Sequence, residues 1–308
     1  MAHDHGHGHG HSHSHAPGSF GRAFAIGITL NTVYVLFEIV FGTRAHSLAL
    51  IGDAVHNASD VVGLALAWGA SLLALRPPTV SRTYGWRRST ILSALVNAVF
   101  LLATMGGIAW ESIHRLFSPT AVGGGTVLWV ALLGIAVNAV SAFFFLAGRK
   151  GDLNVRGAFL HLASDAVLTA GVAIAGVVIL FTGWNIIDPL VSLALVAVIL
   201  YETWGLLTES INLSLDAVPE GIDAEAVRGY LAGIPGVAEV HDLHIWAMST
   251  TEPALTAHLV VPTRPPHDAL IAEACEELHE HFGIEHTTLQ IESGDPAYPC
   301  ALAEASAV

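Results

Sequence analysis

Long apolar stretches recur along the first two thirds of the chain, and a short polar connection follows each of them. Stretches of this length can cross about 30 Å of hydrocarbon as helices. The connections carry turn-forming residues, as in Arg76-Pro77-Pro78 and Gly123-Gly124-Gly125. The pattern predicts six membrane-spanning helices, near Phe20–Phe41, Leu48–Leu75, Arg88–Ile113, Thr126–Leu146, Gly157–Phe181 and Ile187–Leu207.

After about Asp216 the pattern changes to shorter amphipathic segments, which are typical of a small soluble domain. The predicted order is helix, strand, strand, helix, strand, at Ile222–Leu231, Val237–Met248, Ala254–Val261, Pro266–Phe282 and Thr287–Glu292. We therefore expect a polytopic α-helical membrane protein with a small cytosolic αββαβ domain. Its regions would be a tail at 1–19, a six-helix domain at 20–212, an α+β domain at 213–293 and a second tail at 294–308.

Composition agrees with a membrane protein and excludes one class of partner. The chain is 53% hydrophobic and 12% charged, whereas soluble domains carry about 25% charged residues. A net charge of −14 with only 12 basic residues excludes nucleic-acid binding through phosphate neutralisation. The two cysteines, Cys275 and Cys300, are too few for a disulfide framework.

The distribution of lysine and arginine predicts the orientation in the membrane. Only Arg44 and Arg115 fall on one side of the predicted spans. The other side carries eight basic residues: Arg22, Arg76, Arg82, Arg87, Arg88, Arg149, Lys150 and Arg156. Because positive charge is enriched in cytoplasmic loops, we expect both termini in the cytoplasm. The compact chain favours a bacterial inner membrane.

The first residues form a low-complexity segment with histidine at positions 3, 5, 7, 9, 11, 13 and 15. Such a segment cannot bury a core, so we expect it to be disordered and to bind metals loosely through neutral imidazoles. An affinity tag is the alternative interpretation.

Two predicted spans carry the same pair of ionisable residues. His56 and Asp60 lie in the second span, and His161 and Asp165 lie in the fifth. A spacing of four places both side chains on one face of a helix, one turn apart. Ionisable residues inside a membrane are costly and are functional candidates by default. Two such helices packed together would supply the four nitrogen and oxygen ligands that tetrahedral Zn²⁺ accepts.

The charges of these four residues favour a divalent ion over a structural role. Two aspartates and two neutral imidazoles carry −2, which one divalent ion cancels. Because metal binding needs neutral histidine and ionised aspartate, protons and metal compete for the site. The alternative is that each pair is an internal hydrogen bond between helices, but two copies in separate spans weigh against it.

The six spans, the paired HxxxD and three further segments together resemble the cation diffusion facilitator family over about residues 20–293. These segments are Asp53–Asp60 (DAVHNASD), Tyr84–Arg87 (YGWR) and Val240–Trp246 (VHDLHIW). The resemblance implies a homodimeric zinc/proton antiporter that exports cytosolic zinc by alternating access, with a metallochaperone-like C-terminal domain. The family's transport-site positions match His56, Asp60, His161 and Asp165.

The sequence also departs from the family pattern. Some members bind a second ion between spans two and three through aspartate and histidine, but residues 76–88 contain neither, so we expect no such site. Many members have glutamate where Thr90 stands, which puts a salt bridge assigned to that glutamate in doubt.

Two further acids in the spans leave alternatives open. Asp53 lies on roughly the same helical face as His56, so it either lines the metal path or relays protons, or it is solvated near the membrane surface. Glu38 is expected at the interface or paired with arginine.

In the C-terminal domain, the resemblance implies that His241, His258 and Glu292 bind regulatory zinc. His241 and His244 face opposite sides of a regular strand, so we do not expect them to share a metal. Cys300 and the N-terminal histidines are possible additional ligands.

The functional hypothesis is a zinc/proton antiporter in the lipid bilayer, with Zn²⁺ as its substrate. We do not expect the protein to be an enzyme. One alternative is a broader exporter of Co²⁺ and Cd²⁺. A less favoured one is an intramembrane zinc enzyme, which would need an open coordination position and a general base beside the metal.

Overall fold

The structure is a computed structural model that describes residues 21–146, 153–262 and 267–303. The predicted N-terminal tail, with its histidines, lies outside these ranges, as do Arg149 and Lys150. The elements are α1 Gly21–Arg44, α2 Leu48–Ala74, α3 Ser89–Phe117, α4 Gly124–Leu146, α5 Leu153–Thr182, α6 Ile187–Ser214, α7 Ala224–Gly233, β1 Glu239–Ala247, β2 Pro253–Val260, α8 His267–Phe282 and β3 His286–Glu292.

The six predicted spans correspond to the six long helices, whose ends differ from the predicted ends by up to seven residues. Of the described helices, five are long and apolar enough to cross a membrane, and they fall within α2 to α6. Many large apolar side chains on these helices are exposed, including Trp68, Trp110, Trp129 and Phe181. Apolar side chains that point outward are expected where the surroundings of a helix are hydrocarbon.

The chain divides into two compact units, of which the first contains the described parts of residues 1–54 and 119–191. In this unit α4 packs very closely against α5, because glycine allows their backbones to meet. A Cβ atom on Gly124 would lie 2.7 Å from the Leu180 nitrogen, and one on Gly176 would lie 2.7 Å from the Leu128 nitrogen. Small residues at such crossings are the usual means of close packing in membranes.

The second unit contains residues 55–118 and the described part of 192–308. Here Leu101 and Met105 of α3 form a buried cluster with Val196 and Ile199 of α6. Hydrogen bonds between polar side chains add to this packing, since the Ser59 hydroxyl of α2 donates to Asn97 Oδ1 of α3 at 3.3 Å.

The C-terminal part of this unit has the predicted order of helix, two strands, helix and strand. Its sheet has the order β1-β2-β3, with β1 and β2 antiparallel and β2 and β3 parallel. The parallel pair requires a crossover, which α8 provides. Asp223 caps α7 by accepting hydrogen bonds from the backbone of Glu225 and Ala226. The core is apolar and includes Val227, Leu231, Leu255, Leu259 and Leu278.

Ion pairs join the N-terminal end of α3 to the region that follows α6, within the same unit. Arg88 pairs with Asp216, and Arg87 Nη1 lies 2.6 Å from Glu252 Oε2. Thr90, in the first turn of α3, accepts a hydrogen bond from the Thr250 backbone at 3.1 Å. Three polar contacts therefore involve this end of α3.

Candidate metal sites

The helical conformation of α2 brings His56 and Asp60 together. His56 Nε2 lies 3.8 Å from Asp60 Oδ2, and the two side chains are 7% and 29% exposed. Two ligand atoms that each lie 2.0–2.2 Å from one zinc ion are separated by about 3.3–3.6 Å in a tetrahedron. The pair is therefore close to the separation that a shared zinc ion requires.

The second pair has nearly the same geometry within α5. His161 Nε2 lies 3.6 Å from Asp165 Oδ2, with the side chains 50% and 6% exposed. The accessible member thus differs between the two helices: the aspartate in α2 and the histidine in α5. The structure confirms that each predicted pair shares one helical face. The convergence of both pairs on one ion stays a prediction.

Asp53 is almost fully buried, which excludes the interpretation that it is solvated at the membrane surface. The Thr169 hydroxyl donates a hydrogen bond of 2.9 Å to Asp53 Oδ2. The same hydroxyl lies 2.9 Å from the backbone carbonyl of Asp165. Thr169 therefore connects Asp53 with the helical turn that carries Asp165.

Glu38, expected at the membrane interface or paired with arginine, lies inside the protein. Its side chain is completely buried, and it accepts a hydrogen bond of 2.8 Å from the Tyr34 hydroxyl, one helical turn away. The Tyr34 hydroxyl also lies 3.4 Å from the Val130 carbonyl in α4. Glu38 belongs to no recognisable motif, so the sequence does not predict its burial. The burial depends on the contact between α1 and α4.

Asp188 has a role that its sequence position does not reveal. It precedes Pro189 in the first turn of α6, but its buried carboxylate caps the start of α2. It accepts hydrogen bonds from the Leu48 and Ala49 backbone at 2.7 and 3.4 Å and from the Ser47 hydroxyl. A carboxylate at this end of a helix satisfies unpaired N–H groups and interacts favourably with the helix dipole.

Three residues that the resemblance predicts as zinc ligands, His241, His258 and Glu292, lie together in the structure and are called the cytosolic cluster below. His241 on β1 pairs with His258 on β2 in the antiparallel register, and β3 brings Glu292 beside them. His258 Nδ1 lies 3.0 Å from Glu292 Oε1, and His241 Nε2 lies 3.5 Å from Glu292 Oε2. Both histidines are buried.

Strand β1 is not regular, contrary to the premise used for His244. The register shifts between His241 and His244, and Asp242 has a φ of 49°, which marks a bulge. The bulge lets the Asp242 carboxylate reach two rings, at 2.9 Å from His244 Nε2 and 3.4 Å from His258 Nε2. His241 and His244 pair with residues two positions apart on β2, His258 and Thr256, so both lie on the same face of the sheet, and the expectation that they face opposite sides is wrong. His244 is still outside the group of residues whose ligand atoms lie close together.

Neighbouring charges shift the pKa of the acid in the cytosolic cluster. Burial by itself raises the pKa of Glu292, but hydrogen bonds from Cys300 and Gln290 and the charges of the two histidines together lower it by more, so the net shift is downward. For Cys300, the backbone N–H of Leu302 lowers the thiol pKa, but the hydrogen bond to Glu292, burial and the charges of Glu292 and Asp242 together outweigh it, and the net pKa is raised.

Comparison with known proteins gives matches along almost the whole chain. Residues 24–213 match the family model described as the cation efflux transmembrane domain. Residues 219–294 match the model described as the cytoplasmic domain of cation efflux proteins. Together these two models cover both the long helices and the αββαβ domain.

Individual relatives are similar over most of their length. The chain is 37% identical to the cation efflux system protein CzcD of Alcaligenes sp. strain CT14, over 99% of this chain and 92% of that protein. It is 37% identical to the zinc transporter ZitB of Escherichia coli K12, over 87% of this chain and 86% of that protein. It is 32% identical to a cadmium, cobalt and zinc/H(+)-K(+) antiporter of Bacillus subtilis, over 90% of each. Since the family and these relatives are transporters, the alternative of an intramembrane enzyme is wrong.

Proposed function

This chain belongs to the cation efflux family, and we propose that it exports Zn²⁺ from the cytosol in exchange for protons. The proposed transport site has four ligands, His56, Asp60, His161 and Asp165. The observation that carries this proposal is the repeated geometry of the two pairs. In each helix a nitrogen and a carboxylate oxygen lie 3.8 or 3.6 Å apart, near the spacing of two ligands on one zinc ion.

Proton exchange follows from the chemistry of these ligands. A bound Zn²⁺ needs both imidazoles neutral and both carboxylates ionised. Without metal, two carboxylates in a membrane are stabilised by taking up protons, either directly or on the histidines. Metal and protons therefore exclude each other, and a site that alternates between the two faces would move them in opposite directions.

The second candidate is a broader exporter of divalent metals. The relative from Bacillus subtilis is named for cadmium and cobalt as well as zinc. Imidazole and carboxylate ligands accept several first-row metals, and geometry rather than ligand type decides among them. Zinc remains the first choice because two imidazoles and two carboxylates suit its tetrahedral preference.

We place the protein in the bacterial inner membrane with both termini in the cytoplasm. The excess of arginine and lysine on one side of the spans supports this orientation. A homodimer is supported by the name of the second family model, ZT_dimer, which matches residues 219–294.

We further propose that His241, His258 and Glu292 bind a regulatory zinc ion in the cytosolic domain. Two buried imidazoles and one carboxylate that lie 3.0–3.5 Å apart support this assignment. Zn²⁺ is thus both the substrate of the membrane domain and a ligand of the soluble domain.

Zinc flux into vesicles under an imposed pH gradient tests the transport proposal. The wild type should accumulate Zn²⁺ when a proton gradient is applied, and Asp60→Asn should not, because the site then lacks one of its two charges. Glu111→Gln is the control, since Glu111 pairs with Arg115 on α3 and lies outside the proposed site. Absence of wild-type flux, or undiminished flux in Asp60→Asn, would contradict the proposal. Repeating the assay with Cd²⁺ and Co²⁺ separates the two candidates.

A further inference from the structure

A fourth side chain, the Cys300 thiol, lies against the three cytosolic residues. Cys300 Sγ is 3.4 Å from His258 Nδ1, and the thiol donates a hydrogen bond to the Glu292 carboxylate. One ligand atom from each of the four residues lies within 4.8 Å of the others. We propose that Cys300 completes the site as a fourth ligand for Zn²⁺ or a metal of similar softness. This inference rests on the proposed cytosolic site and is independent of the transport route.

The distances in the metal-free cluster are close to those of a tetrahedral site. Zinc binds nitrogen and oxygen at 2.0–2.2 Å and sulfur at 2.3 Å, so its ligand atoms lie about 3.3–3.8 Å apart. The cluster has separations of 3.4 Å for Cys300–His258, 3.0 Å for His258–Glu292 and 3.5 Å for His241–Glu292. Only small side-chain movements are needed for all four to contact one ion.

The groups around the cluster orient two of its ligands. Asp242 Oδ2 lies 3.4 Å from His258 Nε2, where it would accept the N–H of that nitrogen when a metal occupies Nδ1. The Leu302 backbone N–H donates to Cys300 Sγ at 3.4 Å, which stabilises sulfur as an anion. A positioned histidine and a hydrogen-bonded sulfur are the features expected around a metal site.

The charge of the four ligands matches a divalent ion. Two neutral imidazoles, one carboxylate and one thiolate carry −2. When the metal binds, the thiol releases its proton to solvent as the metal–sulfur bond forms. The thiolate favours zinc, cadmium and cobalt over magnesium, calcium and manganese, whose preferred ligands are oxygen.

Recruitment of Cys300 would fix the segment after β3 to the sheet. Cys300 lies beyond the last strand, which ends at Glu292, and the two residues line one cavity of about 640 Å³. His241 lines the same cavity from β1. A metal held by all three would close this cavity and attach residues 293–303 to β1 and β3. The tail would then respond to the metal concentration in the cytosol.

Cobalt substitution in the reduced, full-length protein tests the sulfur ligand directly. A Co²⁺–thiolate bond gives a near-ultraviolet charge-transfer band, which the nitrogen and oxygen ligands of the other histidines and acids do not give. We expect the band in the wild type and in Cys275→Ser, since Cys275 lies on α8 outside the cluster. Cys300→Ser should lose the band completely, and added Zn²⁺ should remove it from the wild type.

Two outcomes would overturn the proposal: no band in the wild type, or a band that survives in Cys300→Ser. If the band is absent but His241→Ala still weakens cobalt binding tenfold or more, the three-residue site remains and Cys300 is not its ligand. Alkylation of Cys300 in the Cys275→Ser protein gives a second measurement that does not depend on changing Cys300. Zinc should slow alkylation at least tenfold, and an unchanged rate would contradict the assignment. Zinc flux in vesicles is measured separately, so failure of transport is distinguishable from failure of this inference.

Discussion

The helical His–Asp pairs and the cytosolic cluster bring their proposed metal ligands together by different means. Within each pair, the histidine and the aspartate are four positions apart in one helix, and their side-chain atoms lie 3.6–3.8 Å apart. The proposed ligands of the cytosolic cluster come from β1, β2, β3 and the segment that follows, and His241 and Cys300 are 59 positions apart. The spacing in the pairs follows from the pitch of a helix, whereas the spacing in the cluster follows from strand register.

The surroundings of the two ligand sets also differ. In the cluster, Asp242 contacts one ligand from outside the site, and both histidines are buried. In the pairs, one member remains accessible, with Asp60 29% exposed in α2 and His161 50% exposed in α5. An accessible ligand allows entry and release of an ion, which transport requires. The two buried histidines of the cluster favour retention, which suits regulation.

The largest effect is expected from moving one ligand around its helix. In the double variant Asp60→Ala with Val61→Asp, the charge is retained, but the carboxylate is rotated by about 100° around the helix axis. Zinc flux should fall more than about 100-fold, as far as in Asp60→Asn, because a misplaced carboxylate cannot contact the ion. Flux close to the wild-type value would show that charge alone suffices and that the helical spacing is not needed.

The second-largest effect is expected on the stability of the sheet formed by β1, β2 and β3. Zinc at about 100 times its dissociation constant should slow hydrogen exchange of the β1, β2 and β3 amides by up to about 100-fold, because binding stabilises the folded domain by about 2.7 kcal/mol. His241→Ala should remove this protection. His244→Ala, on the same strand but outside the cluster, is the matched control and should keep it. Equal losses in both variants would contradict the assigned ligands.

A smaller effect is expected from a change at Asp188, which contacts the start of α2, the helix that carries His56 and Asp60. Asp188→Asn removes a buried charge that accepts hydrogen bonds at the start of α2. Hydrogen bonds to charged groups contribute about 1.5–3 kcal/mol each, so thermal unfolding in detergent should occur at lower temperature. Ser47→Ala removes only one of the donors and should have a weaker effect. An unchanged unfolding temperature in Asp188→Asn would show that α2 does not need this cap.

The smallest effect is the pH dependence of the metal-free cluster. The pKa of Glu292 is lower in the folded protein than its ordinary value of 4.5. Its carboxylate therefore contributes stability above that pH, and the contribution is lost as the pH falls through the folded pKa. Amides of β3 should exchange faster in Glu292→Gln than in the wild type at neutral pH, and the difference should disappear in acid. If the two proteins still differ in β3 amide exchange in acid, the ionised Glu292 carboxylate is not the source of the difference.

Regular spacing made the membrane part predictable. Apolar stretches longer than a bilayer is thick predicted the six helices, and a spacing of four residues predicted that His56 faces Asp60 and that His161 faces Asp165. The same rule could not place Glu38, because burial against α4 depends on which neighbour α1 meets. Strand alternation predicted that His241 and His244 face opposite sides, but it did not predict the bulge at Asp242, which places both on one face.

The sequence by itself determined the helices, the order of elements in the soluble domain and the ligand pairs that lie within one turn. These features depend on interactions between residues close together in the chain, so periodicity reveals them. Only the tertiary structure decided that Asp188 caps α2, that Thr169 binds Asp53 and that Cys300 reaches His258. Each of these contacts joins residues at least 42 positions apart. Their geometry is set by packing and strand register, which no local pattern encodes.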